Sequence, residues 1–185
     1  MLISAHDGFP RWVAAGADFL EVDVRRRGGV FILSHDEPGA GATPPTLDEA
    51  LRSGSRLQLD LKEDGIEEEM IQHVLRHAGA ARIVVTTGSD DSIKTVKEAF
   101  PQVRAGLTLA ETPTESTWRR IERCHADFVA VDHRYARDWS ESPVPVWLWT
   151  VDDRRLLKRY AAGGWPDAII TNRPDLALSL RKGRS

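Results

Sequence analysis

The sequence predicts one compact α/β domain, a closed (β/α)8 barrel of the TIM type, and three observations carry that expectation. Short apolar runs rich in β-branched residues recur eight times, stretches with helical spacing lie between most of them, and Gly, Pro, Asp and Ser punctuate the joins. Alternation of this kind is the pattern of parallel βαβ units, because parallel neighbours need a long crossover. An open, doubly wound sheet is the other architecture compatible with it. The chain has 185 residues, which suits a single domain over 1–185 with a sizeable core, although it is short for eight βα units.

The strand candidates run in order from LISAH at the start through FLEVDV at 19–24, LQLDLK at 57–62 and RIVVTT at 82–87. They continue with VRAGLTL at 103–109, DFVAVD at 127–132, VPVWLWTV at 144–151 and DAIITN at 167–172. After FLEVDVRRR, the pair Gly28–Gly29 followed by VFILSHD marks a hairpin return outside the βα rhythm. The first helix is expected from Thr46, an N-cap with Glu49 three residues on as a capping box, and ends at Gly54. Further helices are expected over 65–78, 90–99, 114–123, 152–162 and 174–181.

Composition narrows the function. Hydrophobic residues make up 41% and charged residues 29%, as in an ordinary soluble globular chain. A net charge of −3 supplies no global field for nucleic acid, so no nucleic-acid partner is expected and a phosphate-bearing ligand must be held by local charges. Cys124 stands alone, which excludes an internal disulfide and reads as a small buried thiol. The start MLISAHDG lacks a basic run followed by an apolar stretch, and no segment approaches bilayer length. No transmembrane segment and a cytoplasmic location are therefore expected, taking Met1 as the natural start.

The chemistry gathers around one strand. Glu21 and Asp23 are two apart in a run otherwise made of Leu and Val, so both leave the same face. Buried together, two carboxylates repel and raise a pKa unless a cation sits between them, which makes them oxygen ligands for Mg²⁺ or Ca²⁺. Taken alone, such a dipeptide is also compatible with a solvated strand face. Asp60 sits near the C-terminal end of the next barrel strand, where barrel active sites form, and completes a set of three; Lys62 shares its face. Three carboxylates against a divalent ion and one lysine sum to zero, a balance that admits one phosphodiester anion. His6 and His35 each end a strand candidate and each precedes an aspartate. A pair with ordinary pKa values near ~6.5 can divide general-base and general-acid work. His73, His77, His125 and His133 read as structural or surface histidines. Trp147 and Trp149 share a face by period two, and Trp149 lies nearer the C-terminal end, where it can line a pocket.

The order His6, EVD at Glu21 to Asp23, HD at His35 and Asp36, then carboxylate-x-Lys at Asp60 to Lys62 resembles the glycerophosphodiester phosphodiesterase family. WLWTVDD and DAIITNRPDL are similar to that family's WTV strand and its last strand, so the resemblance covers most of the chain. It implies a barrel of the phospholipase-C-like phosphodiesterase type, with a small-molecule phosphodiester as substrate. It implies that His6 and His35 act as acid and base, that Glu21, Asp23 and Asp60 bind the metal, that Lys62 lies near the phosphate and that Trp149 lines the pocket.

The chain also departs from the family pattern. It reads HDG where the family reads HRG, so that Asp7 is expected to place a negative charge where the family has a phosphate-facing arginine. Arg25 and Arg27 continue the face of Glu21 and Asp23 and could replace that arginine; a solvated hairpin edge is the other reading. Asp60 stands where the family more commonly has glutamate, although an aspartate is also found at this place in the related spider-toxin phospholipases D. Only 25 residues separate His35 from Asp60, too few for the small insertion domain of many relatives. The expected function is metal-dependent phosphodiester cleavage giving a monoester or a cyclic phosphate. A degenerate barrel serving as a binding module, or a biosynthetic enzyme reusing the metal site on another substrate, fits the same departures.

Overall fold

A computed structural model describes residues 1–182. Eight parallel strands close on themselves: β1 (Leu2–Ala5), β2 (Phe19–Arg27), β4 (Leu57–Leu61), β5 (Ile83–Thr87), β6 (Arg104–Leu109), β7 (Phe128–Asp132), β8 (Val146–Trp149) and β9 (Ala168–Thr171), with β9 pairing back onto β1. The barrel expected from the sequence is the one observed, and the open sheet is excluded by the β1–β2 and β1–β9 pairings. The expected hairpin is also present. β3 (Val30–Leu33) lies antiparallel to the upper half of β2, while only Phe19 and Leu20 at the base of β2 pair with β1.

Six helices wrap the barrel: α1 (Leu47–Arg52), α2 (Glu67–His77), α3 (Asp90–Ala99), α4 (Glu115–Cys124), α5 (Arg154–Ala162) and α6 (Pro174–Lys182). The chain stays short because the links after β1 and β7 hold single 3-10 turns, Val13–Ala15 and His133–Tyr135, in place of helices. The Thr46–Glu49 capping box forms as read, with Glu49 accepting from the Thr46 backbone N–H at 2.7 Å.

Strand alternation sorts the core into two compartments. Outward residues such as Ile3, Val22, Leu59, Val85 and Leu107 pack under the helices, whereas Phe19, Val84, Phe128, Trp147, Ala168 and Ile170 fill the inside. Phe128 stacks on Trp147 with ring centroids 4.6 Å apart, and Phe19 closes on the same indole at 5.5 Å. Gly106 makes room for this plug, since a Cβ there would fall 2.3 Å from Phe128 Cε2. Above the plug, the inward positions turn polar. No helix among the described residues is long and apolar enough to cross a membrane.

Candidate metal centre and active site

Parallel register brings the acidic residues together. Glu21 faces Gln58 and Asp23 faces Asp60 across the β2–β4 pair, all on the inward side. One oxygen from each of Glu21, Asp23 and Asp60 lies within 4.8 Å of the others. They form one wall of a cavity of about 220 Å³ also lined by His6, His35, Gln58, Lys62, Thr108, Trp149 and Ile170. Its position is the C-terminal mouth of the barrel.

Burial dominates the electrostatics. Glu21 is 4% exposed, and its carboxyl is held well above the usual range by desolvation first and then by Asp23 and Asp60. One backbone contact opposes this: the Asp7 N–H donates to Glu21 Oε2 at 2.9 Å. Asp7 can do so because its backbone turns left-handed, at φ 49°. Gly8 follows without a side chain, as a Cβ would meet the Ala5 carbonyl at 2.7 Å. Asp60 is likewise raised by burial, against the lowering influence of Lys62 and Thr86. Lys62 Nζ bridges Asp23 Oδ1 at 2.8 Å and Asp60 Oδ2 at 2.5 Å. Desolvation works against its charge, yet the two carboxylates keep the ammonium above its ordinary pKa.

The donor set fits a hard divalent cation. It is all oxygen, its three carboxylates carry two more negative charges than Lys62 neutralises, and a divalent cation relieves their repulsion. A buried acceptor beside it, Gln58 Oε1, has no hydrogen-bond partner, a situation that costs about 1–3 kcal/mol unless something fills it.

Beside this cluster, at the end of β1, His6 is oriented through two further residues. Asp152 Oδ2 accepts from Asn172 Nδ2 at 2.7 Å, and the Asn172 backbone N–H donates to Asp152 Oδ1 at 2.8 Å. A carboxylate takes only the amide NH₂, so Asn172 Oδ1 must face His6 Nδ1, 2.9 Å away. His6 therefore donates from Nδ1–H, and Nε2 is the ring nitrogen left to exchange a proton with a ligand. His35 lies on the rim with its side chain 70% exposed, its Nδ1 2.9 Å from Asp36 Oδ1. The indole of Trp149 is fixed by its N–H donating to the Ala130 carbonyl at 3.0 Å.

The structure thus brings His6, His35, Glu21, Asp23, Asp60, Lys62 and Trp149 to one cavity and leaves Arg25 out of its lining. Arg25 donates to the His35 carbonyl at 3.0 Å and to Glu63 at 3.3 Å, so it braces the loop under His35 and does not point at a ligand. Arg27 sits at the exposed hairpin end, donating to the Ala42 carbonyl at 3.4 Å. The expected intrusion of the Asp7 carboxylate is not seen either; its side chain is exposed and its N–H is the part that meets Glu21. Asn172, Asp152, Thr86 and Gln58 went unnoticed in the sequence, although the inward period of LQLDLK places Gln58 on the face of Asp60. His73 pairs with Asp48 at 2.5 Å away from the cavity, and Cys124 is buried, its thiol pushed up by that burial.

A closed parallel barrel with an acidic centre at its C-terminal mouth places the chain in the class of α/β barrels whose mouth could hold a metal. Within that class, the chain is similar in sequence to, and shares the fold of, the glycerophosphodiester phosphodiesterases. No family model matches the sequence. A curated glycerophosphodiester phosphodiesterase of Caldanaerobacter subterraneus subsp. tengcongensis is 23% identical over 222 residues, covering 95% of this chain and 90% of the relative. A phosphodiesterase of Oleispira antarctica, solved with the product sn-glycerol-3-phosphate, superposes with a TM-score of 0.80 at 20% identity, over 98% of this chain and 97% of its own. The glycerophosphodiester phosphodiesterase of Thermotoga maritima gives 0.77 at 17% identity, over 98% of both chains.

Proposed function

We propose that this chain is a divalent-cation-dependent enzyme acting on a small phosphodiester; the similar proteins are named phosphodiesterases. The observation that carries the reading is the convergence of three carboxylates, one lysine and two histidines on one small cavity at the barrel mouth.

Glu21, Asp23 and Asp60 would hold the ion, with Mg²⁺ the best match to a compact oxygen set and Ca²⁺ the alternative. When bound, the ion supplies Lewis-acid polarisation of a phosphoryl oxygen. Lys62 bridges Asp23 and Asp60 and adds positive charge beside the phosphate. His6 Nε2 removes the proton of the attacking hydroxyl, since Asn172 holds the other ring nitrogen protonated. His35, on the rim, protonates the departing oxygen. Attack by a neighbouring hydroxyl of the substrate yields a cyclic phosphate, and attack by water yields a monoester.

Incubating the protein with a panel of phosphodiesters, with and without Mg²⁺, and resolving cyclic from linear products by phosphorus NMR tests the reading. Turnover that requires the cation and falls by roughly 10² to 10⁴ in His6→Ala and in His35→Ala is expected. Absence of any turnover with Mg²⁺, Mn²⁺ or Ca²⁺ overturns it.

A further inference from the structure

Gln58 is the neutral member of an otherwise charged wall. It is 2% exposed, lies in register beside Glu21, and belongs to the same inward face as Asp60, one pleat deeper in the barrel. Its amide orientation is fixed by a directional chain. Thr86 Oγ1 lies 2.6 Å from Asp60 Oδ1, and a carboxylate oxygen can only accept, so the hydroxyl proton points there. The Thr86 oxygen then has only lone pairs left to offer, and Gln58 must present Nε2 to it, at 3.3 Å. Oε1 is consequently the end left over, a buried carbonyl with no hydrogen-bond partner on a residue that lines the cavity.

Apolar residues surround the plug just below, so a fold needing only packing at this position would place Leu or Val there, as Val84 is placed on the neighbouring strand. An oriented, unfilled acceptor beneath three carboxylates has a use once a hydrated cation is present. Small hard cations keep several of their waters, and each bound water is a strongly polarised donor that needs an acceptor.

We propose that Gln58 belongs to the cation site, its Oε1 accepting a hydrogen bond from a water on the ion while its Nε2 holds Thr86 against Asp60. The inference rests on the metal-centre reading above and adds a residue to it. The amide contributes an oxygen without a fourth negative charge, which leaves the site neutral with a divalent ion and Lys62 in place.

Mn²⁺ binding followed by electron paramagnetic resonance, with Mg²⁺ as competitor, tests this on the wild type, Gln58→Leu and Gln58→Glu. Thermal unfolding of each metal-free protein is measured alongside. Gln58→Leu should weaken Mn²⁺ about 10–100-fold, the usual size of losing an outer partner of a metal site, while its metal-free form melts no lower than wild type because the orphan acceptor is gone. Gln58→Glu keeps an acceptor and loses the donor to Thr86, and should hold Mn²⁺ within a few-fold of wild type or tighter. Unchanged affinity in Gln58→Leu overturns the proposal, and so does an equal loss in both variants, which would assign the effect to Thr86 alone. A wild type that binds no Mn²⁺ overturns the metal-centre reading itself, a result distinct from either.

Discussion

His6 Nδ1 and Asn172 Oδ1 lie 2.9 Å apart although 166 residues separate them in the chain. The contact exists because β9 closes the barrel against β1, so the residue that follows each strand stands beside the other. Removing the amide in Asn172→Ala frees the imidazole to rotate and to change tautomer. Turnover should fall by up to about 10²-fold with KM little altered, since misplacing a catalytic group acts on the chemical step. An unchanged kcat would remove Asn172 from the mechanism.

Loss of either central carboxylate should remove the cation. In Glu21→Ala or Asp23→Ala, two carboxylates remain and one of them stays neutralised by Lys62, too little to compete with water for Mg²⁺. Calorimetric titration should show no binding at millimolar Mg²⁺; wild-type affinity in both variants would refute the assigned site.

The metal-free protein should lose stability as pH rises above 4.5. Glu21 is raised well above that ordinary value by burial and by its acidic neighbours, so over this range the folded state holds a proton that the unfolded state has released. Its contribution is complete below 4.5 and declines until the folded carboxyl ionises; raised Asp60 acts in the same sense from 3.8 upward. Asp90, Asp132 and Asp152 are lowered and change stability only below 3.8, so they do not mask the slope. Melting curves from pH 5 to 8 should therefore fall without Mg²⁺ and flatten with it, and Glu21→Gln should flatten them without metal. A metal-free midpoint that rises across this range would contradict the assignment.

Asp7 should matter through its backbone. Asp7→Gly keeps the N–H and suits φ 49°, so Mg²⁺ affinity should stay near wild type, whereas Asp7→Pro removes the donor to Glu21 and cannot adopt that angle. Equal Mg²⁺ affinity in the two variants would show the contact to be incidental.

Anion binding should be conditional on the cation. Lys62 is engaged by Asp23 and Asp60, and Arg25 by His35 and Glu63, so the lining offers a phosphate no unshared positive side chain. Inorganic phosphate should bind measurably only with Mg²⁺ present; equal binding without it would point to a cationic subsite elsewhere.

The strands were legible because each is a short apolar run, and the carboxylates were legible because polar residues at period two in such a run need a reason. Sequence could not show Asn172 or Asp152 acting on His6, because that contact is made only by closure of the last strand on the first. It misjudged Asp7 and Arg25 for a related cause. Residue type reports charge, whereas the turn after β1 uses a peptide N–H, and the hairpin turns the Arg25 guanidinium toward a carbonyl under the rim.

The ring stack of Phe19, Trp147 and Phe128 acts as a depth stop. Because it is built from strand residues that interlock with Gly106, loop changes at the mouth can widen or narrow the entrance without lowering the floor. A longer ligand must therefore extend outward past Trp149 and His35, and diversification of this scaffold toward bulkier esters would proceed through the rim while the reacting phosphorus kept its height above the plug.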